Sequence, residues 1–319
     1  MMSEKKIKIK DFRNRHSTLL SLLIFTLIIY TSVFLSDELS IFSTNGLKLS
    51  AGVIVPSLFP FLIITDFCIN YISFQEASAV RKTFEKVFNI NGYAAEAFVC
   101  GLLSGFPIGA KLSFSLYERG IISKDECERL AAVSNNASPG YIISAIGIGL
   151  CGNITDGIIL YAATVLSAIT TAAIIGINKK KTHTPINVTE QKYDFALSVK
   201  SSAAICINIT AFITIFSIIS GMAKMMISNE FLLDFFLIFL EIGNAVSILS
   251  ASKILSADAA LLLTSFSIGF GGLCVFCQTK SLLSVNSCIS MMKYIKIKLL
   301  QGVITLIYAF ATIKVLDFF

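Results

Sequence analysis

Gly101-Leu-Leu-Ser-Gly-Phe-Pro-Ile-Gly-Ala-Lys111 lies inside an apolar run, residues 93–117, and decides how the chain is read. Three glycines and a proline do not sustain a regular buried helix. Glycine lets the backbone reverse or approach closely, and Pro107 has no N–H to donate. In hydrocarbon the groups freed by such a break find no water. The break therefore persists only where protein or a water-filled cavity covers it. The stretch predicts an interrupted, re-entrant element inside a membrane.

The rest of the chain supports a membrane setting. Of 319 residues, 55% are hydrophobic and 14% are charged, with a mean hydropathy of +0.79. Soluble domains carry about a quarter charged residues. This composition excludes a water-soluble enzyme, and its hydrophobicity excludes intrinsic disorder. Apolar runs at 18–35, 49–73, 93–117, 130–150, 154–178, 199–221, 231–252, 259–280 and 298–317 approach or exceed the length that crosses a bilayer.

The net charge is +6, and the basic residues sit in short breaks between apolar runs. That is the pattern of cytoplasmic loops rather than of a nucleic-acid groove. Lys5, Lys6, Lys8, Lys10, Arg13 and Arg15 precede the run Thr18–Leu35, which reads as a retained signal anchor. If every run crossed the membrane, Lys179–Lys181 would fall outside. Making 93–117 and 259–280 re-entrant hairpins removes that conflict. It leaves only Lys48, Lys111, Lys224 and Lys314 off the cytoplasmic side and places Lys293, Lys296 and Lys298 in a cytoplasmic cluster. A competing scheme makes 130–150 the hairpin. The expectation is an all-α polytopic membrane protein of about seven full spans plus two Gly/Pro-broken hairpins, with its N-terminus cytoplasmic. Gly105-Phe106-Pro107 aligns with Gly269-Phe270-Gly271, which suggests an internal repeat, and paired broken segments point to a transporter binding site.

Four features carry the candidate site. Pro56-Ser57-Leu-Phe-Pro60 predicts a discontinuous helix lining a cavity, against a plain packing kink. Ser104, Gly105, Pro107, Gly109 and Lys111 predict an opened helix end beside a cation, a setting that attracts anions. The alternative is a lysine snorkelling to the interface. Asn135, Asn136, Ser138 and Pro139 offer amides and a hydroxyl at a break, or else a surface helix start. Glu241 and Asn244 lie in the middle of an apolar run, where a carboxylate is expected to bind a proton or cation or to pair with Lys111. Gly271, Gly272 and Gln278 add the second glycine motif.

Enzyme chemistry is not expected. The two histidines, His16 and His183, lie in polar flanks, and no nucleophile–base set is visible. Cys274 and Cys277 lack the second pair that a metal site needs. No metal and no cofactor is expected. The partners expected are a small anionic solute, the lipid bilayer, a coupling proton or cation, and a second copy of the chain in a homo-oligomer.

The motifs Pro56-Ser-Leu-Phe-Pro-Phe61, Gly101–Lys111, Leu116-Tyr-Glu-Arg-Gly-Ile-Ile-Ser123, Asn135-Asn-Ala-Ser-Pro139 and Gly271-Gly-Leu-Cys-Val-Phe-Cys-Gln278 resemble the sporulation integral membrane protein YlbJ/SpoVV family. That family carries the nucleoside recognition, or Gate, domain. The resemblance runs from about residue 46 to 290 and, set beside the charge and hydropathy pattern, divides the chain into a basic cytoplasmic N-terminus (1–17), an anchor helix and loop (18–45), a first Gate-like half (46–178), a cytoplasmic linker (179–198) and a second Gate-like half (199–319). It also implies a transporter of endospore-forming bacteria that moves dipicolinic acid out of the mother cell across the outer forespore membrane. A nucleoside-type carrier and a non-transporting sporulation scaffold are the alternatives.

Overall fold

The computed structural model describes residues 35–70, 79–179, 193–252, 254–283 and 289–316. The expected signal anchor, basic N-terminus and most of the linker lie outside the described residues. Every described element is helical. The chain runs α1 (Ser36–Leu49), a π-helical turn (Ser50–Ile54), α2 (Val55–Asn70), α3 (Ala79–Phe88), α4 (Ala94–Ser104), α5 (Ile108–Glu118) and α6 (Lys124–Ser134). A π-helical segment (Gly140–Ile148) follows, then α7 (Ile154–Gly176), α8 (Phe195–Met226), α9 (Glu230–Leu240), α10 (Ile242–Ala251), α11 (Ala257–Phe270), α12 (Gly272–Ser281) and α13 (Met291–Leu316).

Among the described residues, four helices are long and apolar enough to cross a membrane: Ile154–Gly176, Phe195–Met226, Ala257–Ser281 and Met291–Val315. A fifth span arises if Ser36–Ile54 and Leu58–Phe67, bent by 51°, count as one. The protein is a multi-pass helical membrane protein.

The breaks at Gly105–Pro107 and Gly271 fall where the sequence placed them, but they differ in kind. Residues 93–117 form the short helices α4 and α5, which pack on one another around Gly105-Phe106-Pro107. Residues 259–280 were expected to fold back as a second hairpin. They run instead as one interrupted span, α11 and α12 joined at Gly271. Residues 231–252, expected to cross in one piece, split into two helices of 11 and 10 residues at Glu241. At 1.5 Å per residue, each covers only about half of a ~30 Å hydrocarbon core. The cause is local. The Glu241 carboxylate accepts the N–H groups of Gly243 and Asn244 and so caps a new helix in mid-run. The order of elements is thus a short packed pair followed by an interrupted segment, twice. The alignment of Gly105–Pro107 with Gly269–Gly271 pairs unlike breaks.

Close backbone approach holds the first half together. A methyl group added at Gly101 or Gly109 would collide with the Ser134 carbonyl at the end of α6. Small residues give membrane helices this intimacy, because lipid supplies no hydrophobic drive between them. At the polar ends, Asp125 joins Lys293 of α13 (2.5 Å) and Arg129 (2.9 Å). Arg129 donates to the Phe88 and Asn89 carbonyls at 2.8 and 2.6 Å and so closes the end of α3.

Two predictions follow from this packing. Gly109→Val destabilises the detergent-solubilised protein by on the order of 1–3 kcal/mol, whereas Gly140→Ala, whose added methyl meets open space, leaves its melting temperature unchanged. The second concerns Asp125, which lies in the polar stretch outside the spans. Burial raises its pKa, but the hydrogen bonds and charges of Lys293 and Arg129 outweigh that and hold it at about 2 instead of 3.8. A depressed carboxyl stabilises the fold above its ordinary pKa and loses that contribution as pH falls. Melting curves should therefore drop between about 3.8 and about 2, and Asp125→Asn should flatten that drop.

Candidate functional site

Four helix interruptions meet. Gly105, between α4 and α5, has φ +91° and lies against Ser138, the residue before Pro139 at the start of the π-helical segment. Gly271, between α11 and α12, has φ +88° and lies against the Phe106 ring. Gly272 backs onto the Leu240 carbonyl and the Glu241 N–H at the break between α9 and α10. At each contact a side chain in place of the glycine hydrogen would enter the opposite break. Polar backbone groups that a bilayer cannot satisfy are thereby gathered in one protein-covered place.

A cavity of about 60 Å³ opens at this meeting point. Its walls are mostly apolar: Ile54, Leu58, Ile209, Ile213, Ile242 and Val275. Two aromatic rings, Phe106 and Tyr141, and a few polar groups, Ser138, Glu241 and Gln278, complete it. Apolar walls with sparse oriented polar groups are the usual make-up of a small-molecule site. Glu241 is the one charged side chain in the lining, and its charge is offset locally. Oε1 accepts from the Gly243 N–H at 2.8 Å, and Oε2 accepts from Asn244 through its N–H (2.7 Å) and its amide (3.0 Å). The Ser138 hydroxyl accepts the Tyr141 N–H at 3.2 Å, and Gln278 donates to the Cys274 sulfur at 3.3 Å.

Of the residues singled out from sequence, Gly105, Ser138, Glu241 and Gln278 line this cavity, and Asn244, Gly271 and Gly272 support it directly. Ser104 and Pro107 are buried at the first break, and Pro139 opens the π-helical segment. Gly109 serves packing against α6. Asn135 and Asn136 are fully buried behind the cavity. The Asn135 amide reaches Thr279 (3.0 Å) and Tyr294 (2.9 Å). Pro56 and Pro60 have exposed side chains, and their neighbours Ile54 and Leu58 face the cavity instead. The Ser57 side chain lies outside the described residues.

Lys111 does not pair with Glu241, one of the alternatives open for that carboxylate, but with Asp66. Its ammonium bonds Asp66 Oδ1 at 2.5 Å, while Ser198 and Ser201 of α8 donate to Oδ2 at 3.0 and 3.2 Å. This polar knot ties α2, α5 and α8 together away from the cavity lining.

The cation nearest the breaks is Lys298, which charge counting had assigned to a cytoplasmic cluster. It is 1% exposed, donates to Asn135 O, Asn136 Oδ1 and Gln301 Oε1, and lies 5.7 Å from the centre of the Phe106 ring. A signal for it existed in the sequence. Tyr294, Lys298, Gln301, Thr305, Tyr308 and Thr312 recur at spacings of four and three, a polar face on an otherwise apolar helix. Phe106 and Tyr141 gave no such signal, since aromatic residues in apolar runs are ordinarily core.

The Asp66–Lys111 pair generates a prediction. Lys111→Met leaves a half-buried carboxylate without its cation and costs about 1–3 kcal/mol. The double variant Asp66→Asn/Lys111→Met recovers part of that loss, which thermal melts of wild type and the two variants measure.

Comparison with known proteins agrees with the motifs. Over 122 residues the chain is 33% identical to the sporulation integral membrane protein YlbJ of Bacillus subtilis (strain 168). The matched region covers 38% of this chain and 30% of that relative, so the chain accounts for under a third of the relative's length. No family model and no solved structure matches.

Proposed function

We propose that the protein is a solute transporter whose cargo, a small planar organic anion, occupies the cavity where the four helix breaks meet. The observation that carries this reading is the convergence itself. Interrupted helices are costly in a bilayer, and transporters place them around a substrate near the midplane. Phe106 and Tyr141 line the cavity and offer aromatic faces to a planar cargo. Similarity to a sporulation membrane protein supports dipicolinate as the specific cargo, exported from the mother cell across the outer forespore membrane. In this reading the Lys-rich N-terminus is cytoplasmic, and the two short packed pairs enter the membrane without crossing it.

One observation favours a second reading. The only charged group in the lining is a carboxylate, which suits a neutral, nucleoside-like solute. Liposome flux separates the two. Reconstituted protein is expected to move dipicolinate faster than nucleosides or citrate, and Phe106→Ala to lower that flux about tenfold, equivalent to about 1.4 kcal/mol. Nucleoside flux without dipicolinate flux would favour the second reading. No flux of any solute would leave a non-transporting scaffold.

A further inference from the structure

Lys298 sits in an oxygen cage. Its ammonium has three hydrogens and meets three acceptors: Asn135 O at 3.0 Å, Asn136 Oδ1 at 3.2 Å and Gln301 Oε1 at 2.9 Å. All three are neutral, and among the described residues Lys298 forms no ion pair. The Asn135 oxygen is a main-chain carbonyl at a helix break. A carbonyl from an unwound turn together with amide oxygens is how broken membrane helices hold a small coupling cation. Here a cation on a side chain fills that cage.

We propose that Lys298 is the coupling site of the transporter: a tethered ammonium stands where a free inorganic cation would bind, and the coupled ion is the proton that its amine takes up and releases. The proposal rests on the transporter reading above. The step balances simply. The N–H bond breaks, the proton passes to water, and the electron pair stays on nitrogen. The resulting amine has two N–H donors and a lone pair facing three oxygens. The lone pair then faces one oxygen where a hydrogen had been, so an amide of Asn136 or Gln301 must turn or the cage must open. Asn136 is already tied to Gln301 by a 2.6 Å hydrogen bond, so the two amides move together.

Cage and cavity share one structural element. Asn135 and Asn136 hold the ammonium, while Ser138 and Tyr141 of the same interrupted segment line the cavity. Phe106 forms cavity wall on one side and lies 5.7 Å from the ammonium on the other. A solute that shifts this segment changes the cage, which is the differential contact that coupling requires.

The polar face of α13 supplies a path. From Tyr294 to Thr312 it extends about 27 Å at 1.5 Å per residue. Thr305 bonds Ser167 of α7 at 2.8 Å, and Tyr308 bonds Thr170 at 2.7 Å. The titratable groups on this face are Tyr294 and Tyr308. Helix α11 meets it with Gly269 and Phe266 and α12 with Thr279; of the charged groups of α6, Asp125 and Glu128 pair with Lys293 nearer the helix start, Arg129 bonds Asp125 and the Phe88 and Asn89 carbonyls, Glu126 bonds Ser123 and Asn91, and Lys124 pairs with Glu128.

The test uses the full chain in liposomes loaded with dipicolinate, under an imposed pH gradient. Wild type is expected to drive the solute against its own gradient, and Lys298→Gln to lose that drive while still exchanging solute downhill. Lys298→Arg keeps the charge but holds its proton, so it too should lose the drive. A pH-driven Lys298→Arg protein, or wild-type flux indifferent to the pH gradient, would overturn the proposal and leave the transporter reading standing. Absence of all wild-type flux would strike the transporter reading instead. A readout without transport then decides the proton site. In ¹⁵N-lysine-labelled protein in nanodiscs, the Nζ resonance absent from Lys298→Arg should interconvert between ammonium and amine while the protein stays folded. A resonance fixed as ammonium would overturn the proposal.

Discussion

Everything in this structure depends on one constraint: a backbone N–H or carbonyl released inside a bilayer must find a partner in the protein. The chain releases such groups at four places and gathers the four where protein, not lipid, covers them. Gly105 meets Ser138, Gly271 meets Phe106, and Gly272 meets Leu240 and Glu241. No single break is tolerable alone, because each lies against another. The cavity is the space that remains when interrupted helices cannot fill their own junction with side chains. A functional hypothesis therefore follows from backbone chemistry before any side chain is considered.

Charge obeys the same logic. Three charged arrangements near the apolar runs show this, and each is handled differently. Lys111 and Asp66 neutralise one another, with serine hydroxyls completing the carboxylate. Glu241 is spent on the N-terminus of α10. Lys298 has only neutral oxygens. The first two are self-contained. The third leaves an uncompensated positive charge beside a cavity, which is why it, rather than Lys111, becomes the centre of the electrostatic account. A negatively charged cargo would meet both a cation behind the aromatic wall and a carboxylate whose charge is already engaged.

Much of this was legible in the sequence. Composition gave the membrane, and Gly, Pro and Asn inside apolar runs gave the positions of three breaks. The direction of the chain at each break was not legible. Gly105 has φ 91° and ψ 177°, and Gly271 has φ 88° and ψ −15°. Glycine allows both, yet one joins helices that pack on each other and the other continues a span. Sequence motifs report that a helix stops, not where the next one points. The break at Glu241 was hidden because its cap is a carboxylate rather than a glycine or proline. Lys298 was misplaced because a lysine following Lys293 and Lys296 looks like a loop. Only its register with Tyr294 and Gln301 on α13 marks it as buried. Pro56 and Pro60 were overweighted. The bend near them turns their neighbours, not the prolines, toward the cavity.

The central claim is that a small solute binds where the four breaks meet. The chain contains no tryptophan, so Phe106→Trp places a single fluorophore in the cavity wall. Titration of this variant in lipid nanodiscs with dipicolinate should give a saturable change in emission that is absent when tryptophan is placed at the outward-facing Ile207. Emission unchanged by dipicolinate, nucleosides and other small organic acids alike would contradict the account.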